Sequence, residues 1–185
     1  FFILPAGLDA SAPNGNDTMD EEQFLRRSLS IFEVIDGWTS HSYPNPGFSG
    51  SPYATGRGTL KTYEWELRLL KRLGLKKDLP VFITETGWAH RGFDWRSWLL
   101  SPDTVAGYIA VASQTVWTDP RIVVVTPFLF QYQQPLFAMF SWLIPGNRKP
   151  YPFYLAYQSI PKVLGDPNLP PSPEYLALLT QRLTL

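Results

Sequence analysis

Apolar and polar positions along the chain fall into two alternating kinds of segment. Four stretches are rich in β-branched or aromatic residues: Phe1 to about Leu8, Glu33 to Ser42, Val81 to Thr86, and Ile122 to Gln131. Each has the length and composition of a strand. The segments between them carry helical spacing. Asp20 to Ser30 follows a Thr18/Asp20 start signal and groups Phe24, Leu25 and Leu29 on one side. Leu60 to Leu73 places Leu60, Tyr63, Leu67 and Leu70 on one face and stops at Gly74. Its other face carries Lys61, Glu64, Arg68 and Lys71, the pattern of a solvated surface. Ser101-Pro102-Asp103 opens a helix with a cap, a first-turn proline and an acid near the positive end. That helix is predicted to reach about Trp117. A further helix follows Pro152, and another covers Pro173 to Leu183.

Strand then helix, four times over, predicts an α/β fold with parallel strands joined by right-handed crossovers. Two architectures satisfy this order: an open doubly wound sheet and a (β/α) barrel. A nucleotide-binding doubly wound sheet carries a glycine-rich turn after its first strand. Here that turn is Ala6-Gly7-Leu8-Asp9-Ala10-Ser11, which lacks the pattern. Gly47, Gly50, Gly56 and Gly58 lie beside Pro44, Pro46 and Pro52 and read as turn residues. A complete barrel needs eight units and about 250 residues, whereas this chain has 185 residues and four units.

Charge narrows the function. Sixteen basic and sixteen acidic residues cancel, and only 17% of residues are charged. This argues against a nucleic-acid partner gripped through phosphates. No run of about 18 apolar residues suggests a transmembrane helix. The absence of cysteine excludes a disulfide, a thiolate metal site and a cysteine nucleophile, and leaves the redox compartment unreadable. Hydrophobic residues make up 44%, enough for a packed core. Aromatics reach 15%, with seven Trp, nine Tyr and twelve Phe, a composition that suits stacking on sugar rings as well as packing a core. Phe1-Phe2-Ile3-Leu4 opens a strand with no run-in. This is the expectation for a chain that has lost a leader or is a piece of something larger.

In parallel α/β proteins chemistry gathers at the C-terminal ends of strands. The third strand ends Val81-Phe82-Ile83-Thr84-Glu85-Thr86-Gly87-Trp88. Alternation places Val81, Ile83 and Glu85 on one face, here expected to be the inner one. A carboxylate after two apolar residues there needs a partner or a task. The second strand ends Thr39-Ser40-His41-Ser42-Tyr43-Pro44. His41 and Tyr43 share parity and lie next to Glu85, so both are candidate partners for its carboxylate.

Asp36-Gly37-Trp38-Thr39-Ser40-His41-Ser42-Tyr43-Pro44 followed by Ile83-Thr84-Glu85-Thr86-Gly87-Trp88 resembles the clan A glycoside hydrolases, retaining enzymes built on a (β/α)8 barrel. The motif match covers nine residues and six; the order of elements covers nearly the whole chain. The resemblance implies that residues 1–185 form one (β/α)4 half-barrel domain, equivalent to strands five to eight. It implies that Glu85 is the nucleophile, that Tyr43 holds it and that His41 lines the same subsite. Trp88, Arg91, Tyr132 and Trp142 are the implied substrate-binding residues. Phe93, Trp95 and Trp98, and Phe137 and Phe140, lie in the same two loops. The implied ligand is a carbohydrate, and the chemistry needs no metal or cofactor.

Retaining hydrolysis uses two carboxyl groups about 5 to 5.5 Å apart. In the clan the acid/base follows an asparagine at the end of strand four, and this chain holds no Asn-Glu dipeptide. Its last strand also ends in Phe128-Leu129-Phe130-Gln131-Tyr132 where the clan often places a tryptophan. Asp9 ends the first strand, Asp94 follows Glu85, and Glu64 and Glu66 are expected to be solvated mid-helix. A lone half barrel would leave two unpaired sheet edges and bare inner faces. The chain is therefore expected to form a homodimer or to meet a missing N-terminal half. A non-catalytic carbohydrate-binding protein and a self-assembling half barrel are the alternatives. Only His41 and His90 are present as histidines, without metal-ligand spacing. Asn16-Asp17-Thr18 fits the glycosylation sequon, a triplet common by chance.

Overall fold

A computed structural model describes residues 2–92, 98–132 and 134–162. The architecture is mixed α/β. Strands β1 (Trp38–His41), β2 (Val81–Thr86) and β3 (Ile122–Pro127) form a parallel sheet in the order β1-β2-β3. Among the described residues four α-helices accompany them: α1 (Glu21–Arg27), α2 (Thr62–Arg72), α3 (Pro102–Thr115) and α4 (Pro152–Gln158). The helix expected over Pro173 to Leu183 lies outside the described residues. No helix among the described residues is long and apolar enough to cross a membrane.

The expected fourth strand at the start of the chain is not a strand among the described residues. Residues 2–7 nevertheless run beside β1 in the same direction. Asp36 N–H donates to the Ile3 carbonyl at 2.8 Å and the Thr39 hydroxyl to the Pro5 carbonyl at 2.5 Å. Pro5 has no N–H to return, so the ladder is never completed. The second strand is also shorter than predicted. Leu29–Glu33 winds into a 3-10 turn and pairing starts only at Trp38. The last strand stops at Pro127, again where a backbone donor is lost.

Helix boundaries follow their end signals. The Asp20 carboxylate accepts from the N–H groups of Glu22 and Gln23 and starts α1, and Ser101 accepts from Thr104 N–H and starts α3. Gly74, at φ +107, takes the left-handed turn that ends α2. On α2 the apolar face holds as read: Leu60, Tyr63 and Leu70 are buried and Leu67 packs against them. Of the apolar side read for α1, Leu25 is buried while Phe24, and Leu29 just after the helix, are exposed.

Val81 and Ile83 pack on α2 and α3, among Leu60, Tyr63, Val105 and Ile109. They therefore face the helices, not the open side of the sheet as expected from alternation. Phe82 lies against Phe2, on the opposite face. The register slips between Ser40 and His41 and again between Ile83 and Thr86. Strict alternation from Val81 thus does not carry through to Glu85. On the side away from the helices, Phe82 and Thr84 are half-buried and Val124 is exposed.

Candidate functional site

The slip after Ser40 pairs His41 with Glu85 across the two strands. This puts both residues at the C-terminal edge of the sheet, followed by Tyr43. The Tyr43 hydroxyl donates to Glu85 Oε2 at 3.0 Å, and His41 Nδ1 stands 3.7 Å from the same oxygen. Glu85 keeps 37% of its side-chain surface in solvent and His41 24%. Burial first, then the negative charges of Glu85 and Asp9, push the Tyr43 phenol far above its ordinary range. Tyr43 is therefore a fixed proton donor to the carboxylate at any ordinary pH.

The loops around this corner are tied together. The Thr86 hydroxyl donates to the Ser42 carbonyl at 2.7 Å, joining the ends of β1 and β2. Trp88 Nε1 donates to the Gly50 carbonyl at 2.9 Å, and Ala89 N–H to that of Phe48. Tyr43 sits edge-on to Phe48 and Phe140, whose ring centroids lie 5.1 and 6.0 Å away. Gly7 contributes by having no side chain. A Cβ there would fall 2.2 Å from the His41 ring. The signal in the sequence was a glycine inside an apolar run, two residues before Asp9.

The structure brings Glu85, Tyr43 and His41 together. It distributes the proposed sugar contacts differently. Trp88 and Trp142 are only 3% and 8% exposed and belong to the main hydrophobic cluster. Both rings pack edge-on against other aromatics, Trp88 on Tyr108 and Trp142 on Phe153, Tyr154 and Tyr157. Arg91 is exposed and Tyr132 half-buried. Tyr132 packs against Phe137 at 5.5 Å. Trp98 is largely exposed, while Phe93, Asp94 and Trp95 lie outside the described residues. A cleft of about 490 Å³ lies beside the segment that follows Tyr43, lined by Ser11, Asp20, Asn45, Arg57 and Thr59 among others, with none of Glu85, Tyr43 and His41 in its wall. Its polar groups are already engaged: Arg57 bonds Asp20 and the Ala10 carbonyl, and Asn45 donates to Ser11.

His90 is sealed in the core. Its Nε2 meets the Ser141 carbonyl at 2.8 Å and its Nδ1 accepts from Gly92 N–H at 3.1 Å. Those partners fix the neutral tautomer with the proton on Nε2. Burial, opposed by the Ser141 carbonyl, pushes its pKa down to about 4. Among the described residues no three acidic or histidine side chains are grouped to hold a metal ion. Glu66 overturns the expectation of a solvated mid-helix acid: it is fully buried, beside an equally sealed Glu21. The sequence offered one signal for it, since helical spacing puts Glu66 on the face of Tyr63 and Leu70 rather than with Arg68.

Comparison of the chain with protein-family models, curated proteins and solved structures gives no match.

Proposed function

We propose that the Glu85 corner is the nucleophile site of a retaining glycoside hydrolase, and that this chain supplies the later half of its (β/α)8 barrel. The observation that carries this reading is the hydrogen bond from Tyr43 to a half-exposed Glu85 at the C-terminal edge of the central strand. One Glu85 oxygen is oriented by the phenol, and the carboxylate is open enough to meet a sugar. It would attack the anomeric carbon and expel the aglycone, forming a glycosyl ester on Glu85. Water would then cleave that ester and return the carboxylate. His41, at 3.7 Å, lines the same subsite.

Departure of an ordinary aglycone needs a second carboxyl group to protonate it. Among the described residues Tyr43 and His41 are the polar side chains bonded or ion-paired to Glu85. The acid/base is therefore assigned to the complementary half, whether an N-terminal half barrel or a second copy. The open side of the sheet supports such a partner, because parallel sheets are ordinarily covered on both faces.

A 2-deoxy-2-fluoro glycoside with a dinitrophenolate leaving group tests this directly, since that group departs without an acid's help. Probes of gluco, galacto, manno and xylo configuration are incubated with the chain and followed by intact mass and peptide mapping. One glycosyl adduct on the peptide carrying Glu85, absent from Glu85→Gln, is expected. No adduct with any probe, or an adduct elsewhere that persists in Glu85→Gln, sinks the reading.

A further inference from the structure

The second notable carboxylate site lies under α1, away from Glu85. Glu21, the first residue of α1, is 2% exposed, and Glu66, in the middle of α2, is 0% exposed. The two carboxyl groups are within hydrogen-bonding reach of each other. Glu66 Oε2 accepts from the Trp38 indole N–H at 3.0 Å. The Ser40 hydroxyl also supports Glu66, and itself meets Ser42 at 2.7 Å. Both oxygens of Glu21 and Oε1 of Glu66 have no ordinary donor.

Two ionised carboxylates cannot be sealed in this arrangement. They would repel at contact and leave three buried oxygens without a proton donor. A single proton removes the repulsion and pairs two of the three oxygens, leaving one uncharged Glu21 carbonyl oxygen. Carried by Glu21, it donates to Glu66 Oε1, while Trp38 and Ser40 hold the charge that remains on Glu66. Burial first, then the charge of Glu66, raises Glu21 well above the ordinary carboxylate range. Burial also raises Glu66, against the opposing pull of Ser40, Trp38 and Glu21.

The charged groups facing the pair are few. Asp20, the cap of α1, adds a like charge, and Arg57 opposes it. Arg57 is committed elsewhere: it bonds Asp20 at 2.5 Å and the Ala10 carbonyl at 2.5 Å, and stacks on Trp65. β1 presents only the neutral Trp38 and Ser40 to Glu66. Nothing in this set compensates a second negative charge.

We propose that Glu21 and Glu66 hold one proton between them, and that this proton is a latch keeping α1 seated on β1 and α2. Alkaline pH takes the proton to solvent, leaves two facing carboxylates and expels the first turn of α1. The Asp20–Arg57 pair goes with it, and so does the cleft wall that also includes Ala10 and Ser11. The latch stands or falls independently of any role for Glu85.

The test is amide hydrogen exchange of residues 20–27 in the full chain, compared with Glu21→Gln at matched pH. The glutamine donates its amide N–H to Glu66 and cannot titrate. At about pH 6 wild type and variant protect α1 equally. At about pH 9 wild type exchanges at least about tenfold faster than the variant, one unit of linked proton release. The same protection ratio at both values overturns the latch. Infrared spectra decide the matter should the variant not fold. A protonated-carboxyl band in the wild-type chain at neutral pH is expected, and its absence overturns the proposal.

Discussion

Glu85 and Glu66 are the same side chain in opposite circumstances. Each accepts a hydrogen bond of 3.0 Å from an aromatic donor, Tyr43 in one case and Trp38 in the other. They differ in access to water. Glu85 ends a strand and keeps over a third of its side chain exposed, whereas Glu66 is closed in between α2, β1 and α1. A carboxylate with one donor and open solvent is available to a substrate. One with its solvent replaced by a second acid is part of the scaffold. A perturbed carboxyl is thus not by itself a reactive one.

The largest expected effect breaks the two apart by stability. Glu66→Ala strips the Trp38 N–H of its acceptor, strands the Glu21 carboxyl and opens a cavity. The variant is expected to lose about 3–5 kcal/mol. Glu85→Ala removes a half-exposed side chain and leaves the half-buried Tyr43 hydroxyl without its acceptor, and is expected to cost no more than about 1–2 kcal/mol. Urea unfolding monitored by circular dichroism gives both numbers. Equal losses would mean that Glu85 is as structural as Glu66.

The two histidines repeat the contrast more weakly. His41 is partly open beside Glu85, whereas His90 is sealed as a neutral ring with both nitrogens engaged. The folded-state pKa of His90 lies near 4, below the unfolded value of 6.5. A depressed value means that its contribution is complete above about pH 6.5 and declines as pH falls towards 4. The margin of wild type over His90→Gln should therefore shrink by about 2–3 kcal/mol between pH 7 and about pH 4. A margin that stays constant would show that His90 charges freely in the folded state.

Much of this was readable from spacing, and the failures have physical causes. The α/β order, the ends of α2 and α3 and the meeting of Glu85, Tyr43 and His41 follow from local signals. Ser101 caps, Gly74 terminates, and strand ends collect polar residues. The first strand failed because Pro5 cannot complete a ladder, a signal that lay within the run itself and was outweighed by its apolar composition. Val81 and Ile83 share one face as read, but it is the face covered by helices, which only packing decides, and the register slips that interrupt the alternation before Glu85 are set by pairing. Trp88 and Trp142 carry no sequence mark that separates a platform from a core ring. The Glu21–Glu66 pair joins residues 45 positions apart on two helices, which no local period reveals.

The smallest effect sharpens the comparison within one helix. Glu64 and Glu66 are two positions apart on α2, so their side chains point to different faces. Glu64 lies on the rim, with Arg68 at 3.6 Å and Lys61 and Arg121 each at 3.9 Å. Three cations around a carboxylate look stronger than one indole N–H, yet each is exposed enough to be solvated without Glu64. Arg121 also has a shorter partner in Asp119 at 2.5 Å. Exchanging Glu64 for glutamine should therefore cost no more than about 0.5–1 kcal/mol, and less in high salt. Glu66→Gln removes a charge where salt cannot reach, so its effect on stability should not depend on salt. Parallel urea titrations at low and high salt measure both. A salt-independent loss at Glu64 would show that its face is buried against something more than water.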